Sequence, residues 1–405
     1  MAFVRRMGGV VLCYEEGGCA VSYQALYRAW RPQTFADLVG QPHVKQTLTN
    51  ALAHGRVAHA YLFCGPRGTG KTSTAKILAK AVNCLQPQGV EPCNACRACE
   101  SITAGTNVDV EEIDAASNRG VDEIRQLREK VQYAPASLKR KVYIVDEVHM
   151  LTPEAFNALL KTLEEPPHHT LFVLATTEPH RIPATIVSRC QRFDFRRIPE
   201  ALIVERLRAV CADNGWAYED EALFKLAEAA DGGLRDALGL LEQTAAYSQG
   251  RIGAQEAAHV VGGLQASDVV ALVAALYRGD LPGALVRLTE WYMAGRDAGR
   301  IVQEMLAVLR DLAVVRLRLP EAAQEPRWQA YAEVAAACPL EWLLAAIDKL
   351  GDVYTHLRFV DQPRLVLETA LFGIARLARG QRAAAPPDTP ALAAPAQAYP
   401  AVPRR

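Results

Sequence analysis

Gly65-Pro66-Arg67-Gly68-Thr69-Gly70-Lys71-Thr72 matches the pattern G-x-x-x-x-G-K-[ST] at every fixed position. Glycine at 65, 68 and 70 lets the backbone turn tightly and aim amide N–H groups at a polyphosphate. Lys71 supplies a point charge for the β- and γ-phosphates, and the Thr72 hydroxyl suits Mg2+. The apolar run Ala60-Tyr61-Leu62-Phe63-Cys64 reads as a buried strand entering the loop. Behind the loop, Ile77, Leu78, Ala81 and Val82 form a helical stripe, so phosphates would sit at a helix N-terminus. A chance glycine-rich turn is the competing reading; strand, loop and helix in that order count against it. The stretch predicts a nucleotide site lined by Gly65, Pro66, Arg67, Gly68, Thr69, Gly70, Lys71, Thr72 and Ser73.

Val142-Tyr143-Ile144-Val145-Asp146-Glu147 reads as a second buried strand, ending in two carboxylates. Aspartate there can hold Mg2+, and the adjacent glutamate can orient and deprotonate an attacking water. Many phosphate-loop proteins that only bind or switch lack that second acid, so Glu147 favours hydrolysis. Thr170 to Ala175 predicts another strand, ending at Thr176-Thr177, where a polar tip could read the γ-phosphate or hold the water. Arg189, after the helical 182–187, is placed to reach a neighbouring subunit's nucleotide as an arginine finger, or is a surface arginine. Arg235 falls in the first turn of a helix opened by Gly232-Gly233, where a cation opposes the helix dipole. It is therefore expected to face an anion, the γ-phosphate being the obvious one.

Cys84, Cys93, Cys96 and Cys99 form a C-x8-C-x2-C-x2-C cluster. Four thiolates at that spacing can converge on one tetrahedral Zn2+, a structural ion because no coordination position stays open. Four unrelated reduced cysteines are the alternative. Ten cysteines in a chain with a nucleotide site argue for ligation or buried thiols, not disulfides.

A length of 405 residues allows two or three domains, and a half-apolar, 22% charged composition is that of a globular protein. Lys+Arg and Asp+Glu balance at 45 each, which excludes a global basic signature for nucleic acid. No apolar run approaches a membrane span, and residues 1–21 lack the long apolar stretch of a secretory signal. They are expected to be a disordered extension or a mis-assigned start. Tyr27-Arg28-Ala29-Trp30-Arg31-Pro32 is a basic-aromatic segment that wraps an adenine or merely caps the fold. Val108-Asp109-Val110 is expected to run as a strand to Asp114, with Ser117-Asn118 capping a helix over 121–131. Arg119 and Lys161 are the candidates for DNA contact. From residue 199 the chain turns helical, over 201–213, 219–230, 233–247 and 254–262. Further amphipathic helices follow at 267–278, 281–295, 297–317, 328–336, 340–357 and 362–379, a packing or oligomerisation domain. Prolines among alanines from 381 to 405 predict a flexible tail.

Taken together, these motifs resemble the bacterial DNA polymerase III gamma/tau subunits, the AAA+ motor of the sliding-clamp loader. Further stretches carry the likeness: Ser22-Tyr23-Gln24-Ala25-Leu26, Arg31-Pro32-Gln33-Thr34-Phe35, Glu112-Ile113-Asp114-Ala115-Ala116-Ser117 and Asp146-Glu147-Val148-His149-Met150. Leu163-Glu164-Glu165-Pro166-Pro167, Thr176-Thr177-Glu178-Pro179 and Leu234-Arg235-Asp236-Ala237-Leu238 complete it. The resemblance implies an α/β AAA+ P-loop core over 22–198, with the sensor-1 strand between the two motif strands. A three-helix lid over 199–263 and an all-α collar over 264–380 would follow. It implies ATP, Mg2+ held by Thr72 and Asp146, and a structural Zn2+. It also carries over Val39 and Gly40 at the nucleotide, Glu147 as catalytic acid, Thr177 as sensor 1, Arg189 as finger in trans and Arg235 as sensor 2. The implied partners are delta and delta-prime type subunits in a hetero-pentamer, the sliding clamp and primer-template DNA, all cytoplasmic. Such subunits are grouped with DNA-directed DNA polymerase (a nucleotidyltransferase) although they polymerise nothing. A branch-migration motor or a non-hydrolysing loader scaffold are the rival readings. The cysteine cluster opposes the first, and intact Lys71, Thr72, Asp146 and Glu147 oppose the second.

Overall fold

The computed structural model describes residues 4–7, 10–15, 18–262, 264, 266–317, 331–357 and 360–384. The chain divides into two compact units between Val261 and Gly262.

At the centre of the first unit is a five-stranded parallel sheet. Its strands are β4 (Ala60–Cys64), β5 (Val110–Asp114), β6 (Lys141–Asp146), β7 (Thr170–Thr176) and β8 (Gln191–Asp194), in the order β5-β6-β7-β4-β8. Every residue of β4 and β7 is buried, which explains why both read as continuous apolar runs. β7 lies between β4 and β6, as expected, so the ends of all three converge. The crossover helices α3 (Lys71–Asn83), α5 (Val121–Val131) and α6 (Pro153–Glu164) bury apolar stripes. Ile77, Leu78 and Ala79 share a core with Phe63 and Ile144, while Ile124, Leu127 and Leu159 share one with Leu62 and Leu174. Burying each large side chain contributes about 1.5–3 kcal/mol.

A helical segment follows in the same unit: Glu200–Asn214, Asp220–Ala229, Leu234–Tyr247 and Ala254–Val261. These are the four helices that the sequence pattern predicts, one more than the three-helix lid implied by the resemblance. Residues Ala217–Tyr218 and Arg251–Ile252 form a short parallel pair that tethers the fourth helix to the first three. Leu207, Leu223, Leu238 and Ala257 close their common core.

Two sequence expectations are corrected. Residues Val4–Met7, Val10–Glu15 and Gly18–Tyr23 are not a disordered extension but a three-stranded antiparallel sheet, with Met7 opposite Val10 and Glu15 opposite Gly18. Valine-rich runs separated by Gly8-Gly9 and Glu16-Gly17 are a hairpin signal, which a search for a signal peptide overlooks. Ser117 and Asn118 do not cap α5, whose N-cap is Gly120. Both bond back to Asp114: Ser117 Oγ to its carboxylate at 3.1 Å and Asn118 Nδ2 to its carbonyl at 3.0 Å. The strand-end aspartate organises this turn and uses the residues that would have capped the helix. The strand itself starts at Val110, two residues later than expected.

The second unit is helical: Ala266–Arg278, Leu281–Met293, Ala298–Arg316, Ala332–Ala337, Leu340–His356 and Pro363–Ala384. Trp342, Leu350, Leu309, Leu276 and Leu371 meet in one core. The last helix runs five residues past the predicted end, through Gln381, Arg382, Ala383 and Ala384, because the first proline comes only at 386. The rest of the predicted tail, and residues 328–330 of a predicted helix, lie outside the described residues. No single described helix is long and apolar enough to cross a membrane.

Candidate nucleotide site and cysteine centre

The phosphate loop is positioned by backbone bonds at both sides. The Gly65 N–H donates to Thr176 O at 3.1 Å, and Phe195 N–H donates to Cys64 O at 2.6 Å. Gly65 has φ +147°, and a Cβ there would lie 2.3 Å from Phe195 O, so no side chain fits. Lys71 opens α3, and its ammonium donates to Gly65 O and Pro66 O, each at 2.8 Å. Burial lowers its pKa, with Glu147 and Asp146 opposing that shift.

Thr72 Oγ1 donates to Asp146 Oδ2 at 2.7 Å, which brings the two expected Mg2+ ligands together. Glu147 takes the left-handed backbone conformation, φ 47°, rare for a residue with a side chain and recurrent at functional sites. Thr177 donates to Glu147 Oε2 from both Oγ1, at 2.9 Å, and its N–H, at 3.3 Å. Of the two threonines it is Thr177 that touches the acid. Thr176 is fully buried, and its hydroxyl faces His149 Nδ1 at 3.0 Å.

His149 is a member of this group that the residue-by-residue reading missed. Its Nδ1 lies 3.4 Å from Glu147 Oε2 and its Nε2 3.4 Å from Glu178 Oε1, with the side chain 5% exposed. Its place after Asp146-Glu147 was the available signal.

The helix beginning at Leu234 starts on the phosphate loop: Leu234 N–H donates to Gly68 O at 3.1 Å. Arg235 lies in its first turn, with its guanidinium 4.7 Å from the centre of the Tyr27 ring. The segment 31–41 crosses the loop from the other side. Arg31 Nε donates to Ser73 Oγ at 3.2 Å, and Leu38 Cδ1 stands 2.9 Å from where a Cβ on Gly70 would be. Val39 packs on the helical core and Gly40, φ +67°, on Ile198. Gln41 fixes the end of the segment by donating to Arg196 O at 2.6 Å and accepting from Arg196 N–H at 3.0 Å.

Arg189 makes its hydrogen bonds elsewhere, to Glu164 Oε1 at 2.6 Å, Thr185 O at 2.7 Å and Ser188 Oγ at 3.3 Å. Arg119 donates to Ala116 O at 2.9 Å, and both it and Lys161 are exposed.

The sulfurs of Cys84, Cys93, Cys96 and Cys99 all lie within 4.8 Å of one another. Zn–S bonds of about 2.3 Å place tetrahedral sulfurs about 3.8 Å apart, so the cluster fits the ion. Burial pushes the Cys99 thiol up, as does its hydrogen bonding with Cys96. At Cys96 burial also acts upward, but bonds from the Leu85 and Cys99 backbone outweigh it and bring the thiol down to about 6.

Residues 40–199 match the family model described as DNA polymerase III, delta subunit. Residues 202–250 match that described as DNA polymerase III clamp loader subunit, ATPase lid domain. The chain is 46% identical, over 87% of its length, to the DNA polymerase III subunit tau of Bacillus subtilis (strain 168), and spans 63% of that protein. It is 40% identical, over 72% of its length, to the DNA polymerase III subunit gamma of Buchnera aphidicola, and spans 81% of it. The solved Holliday junction branch migration motor RuvB of Thermotoga maritima aligns over 62% of this chain and 80% of its own. Its identity is 19% and its TM-score 0.43. With two fifths of its positions shared across four fifths of the gamma relative, the chain belongs to the DNA polymerase III subunit gamma/tau family.

Proposed function

We propose that the chain is the ATP-hydrolysing motor subunit of a sliding-clamp loader, opening the clamp and placing it on primed DNA. The observation that carries this reading is the meeting of Lys71, Thr72, Asp146, Glu147 and Thr177 at the ends of adjacent strands. A scaffold that never hydrolysed ATP would have no use for an acid held beside the metal ligand.

In this reading the loop amides and Lys71 cradle the phosphates of ATP at the N-terminus of α3. Thr72 and Asp146 hold Mg2+, which neutralises charge on the β- and γ-phosphates when bound. Glu147 accepts the proton of the attacking water, and Thr177 orients both the acid and that water. Arg235, as sensor 2, reports the γ-phosphate to the helices at 200–261. Arg189, which its own site does not use, completes the site of a neighbouring protomer. Cys84, Cys93, Cys96 and Cys99 hold a structural Zn2+. The partners are delta and delta-prime type subunits in a hetero-pentamer, the clamp and primer-template DNA.

Reconstitution tests the whole reading. Added to companion subunits, clamp and primed DNA, the chain should load clamps in an ATP-dependent manner, with turnover raised by clamp and DNA together. Turnover indifferent to both would overturn the motor assignment. Metal analysis should return one zinc per chain, and its absence would defeat the four-thiolate site.

A further inference from the structure

The cysteine cluster does not stand apart from the nucleotide site. Glu91, between Cys84 and Cys93, has its backbone locked in a two-way bridge with Gln88, at 2.9 and 3.1 Å. Its carboxylate crosses to the segment over the phosphate loop: Oε2 accepts from Phe35 N–H at 2.8 Å and Oε1 from Ala36 N–H at 3.0 Å. A second link comes from Lys80 of α3, a lysine only 2% exposed. Its ammonium donates to Gln33 O at 3.0 Å, Gln33 Oε1 at 2.7 Å and Asn94 Oδ1 at 2.6 Å. Asn94 lies between Cys93 and Cys96 with φ 56°. That left-handed turn gives Asn94 the reach that the C-x-x-C knuckle needs, and a metal held by its flanking thiolates would fix it there.

Both links end on residues 33–36, and the same segment bears the residues that touch the loop. Arg31 reaches Ser73, next to Thr72, and Leu38 lies against Gly70. Charge-assisted bonds of this kind are the strong ones; all five involve the Glu91 carboxylate or the Lys80 ammonium, and all but the bond to Ala36 are half-buried.

We propose that the cysteine module is a metal-dependent clamp on the nucleotide site: through Glu91 and the Lys80–Asn94–Gln33 junction it holds the segment 31–41 in its nucleotide-binding position. Glu91 and Lys80 are thus positioning residues. The proposal rests on the nucleotide and zinc readings above and adds an energetic coupling between them. By linkage, whatever factor zinc occupancy gains in nucleotide affinity is returned as tighter zinc in the nucleotide-bound protein.

The experiment is a fluorescent-ATP titration of the full chain carrying Glu91→Ala, Glu91→Gln or Lys80→Met. Zinc content is measured on each sample, and backbone hydrogen exchange is followed over residues 33–38. Glu91→Ala and Lys80→Met should retain one zinc yet bind nucleotide about fivefold or more weaker, the low end of measured site-to-site couplings. Glu91→Gln, which keeps one acceptor oxygen, should fall between them and wild type. KM for ATP should rise in step while kcat at saturation stays near wild type, a split that general destabilisation would not produce. Exchange over 33–38 should speed up in the same order. Wild-type affinity in zinc-replete Glu91→Ala and Lys80→Met would overturn the coupling while leaving the nucleotide and zinc sites standing. Wild-type protein without zinc, or without nucleotide binding that Lys71→Ala abolishes, would instead remove the reading beneath it.

Discussion

Glu147 combines a left-handed backbone with a carboxylate held by Thr177, on a different strand end, and flanked by His149, so its position is over-determined by its neighbours. Strain of about 1–3 kcal/mol is tolerated only where such contacts pin it. Glu147→Gln preserves size and one acceptor but removes the carboxylate we propose as the base. It should bind ATP normally and hydrolyse it about 10²–10⁴-fold more slowly, measured by single-turnover phosphate release. Asp109 shows the same dependence on distant partners in a structural role. Buried at 2% exposure, it accepts from the N–H groups of Ala136, Ser137 and Leu138 at 2.7–3.0 Å and from Ser137 Oγ at 3.0 Å. Burial alone would raise its pKa, but those four donors outweigh it and lower it. A depressed folded-state pKa means stability that is present above the unfolded value, about 3.9, and lost as pH falls through the folded one. Asp109→Ala should cost about 1.5–3 kcal/mol at pH 7, and the gap to wild type should narrow below about pH 4 in denaturant titrations. Lys71, Thr72, Asp146 and Glu147 were legible from spacing because their chemistry is written locally. Asp109, His149, Glu91 and Lys80 were not, since each acquires its role from partners that only the fold brings near.

The phosphate loop and the helix Leu234–Tyr247 approach so closely that position 68 has no room for a side chain. A Cβ on Gly68, φ +76°, would stand 2.9 Å from Gly233 Cα, and Leu234 N–H must still reach Gly68 O. Gly68→Ala should therefore push the helix off the loop and carry Arg235 with it. We expect ATP affinity to fall by about tenfold or more, the equivalent of one lost hydrogen bond plus backbone strain. Melting temperature should change little, because the helix keeps its core contacts through Leu238 and Leu241. Equal nucleotide affinity in Gly68→Ala would mean that the helix start does not read the bound phosphate. At this scale most elements were readable: continuous apolar runs gave β4, β6 and β7, and period-3.6 stripes gave the helices within one to three residues at most ends. The short parallel pair at Ala217–Tyr218 and Arg251–Ile252 was invisible, since two-residue strands carry no periodicity. The sheet at 4–23 was missed because its signal lies in glycine-flanked turns and not in its composition.

For the whole molecule the proposed function makes one chain the supplier of only part of a catalytic site, and that sharing can be tested. Arg189 is bound to Glu164 and Thr185 of its own protomer, away from the group around Lys71, and is the finger we propose for a neighbouring site. If it acts across an interface, loss of the loop lysine and loss of the finger are complementary defects. Lys71→Ala leaves a protomer that cannot bind ATP but still offers Arg189 to its neighbour. Arg189→Ala leaves one that binds ATP with wild-type affinity but hydrolyses it about 10³-fold more slowly in the assembly, the usual worth of a finger. Mixed one to one in assemblies holding several copies, the two inactive variants should recover roughly a quarter of wild-type ATPase. Half the sites are then intact, and half of those face an intact finger in a head-to-tail arrangement. A finger acting in cis predicts no recovery at any ratio, because every protomer with a working loop lacks its own arginine. Recovery must also vanish when both substitutions are placed in one chain and mixed with Lys71→Ala alone, since no intact loop remains. The first mixture thus separates shared sites from self-contained ones by turnover alone, and the second is its control for background activity.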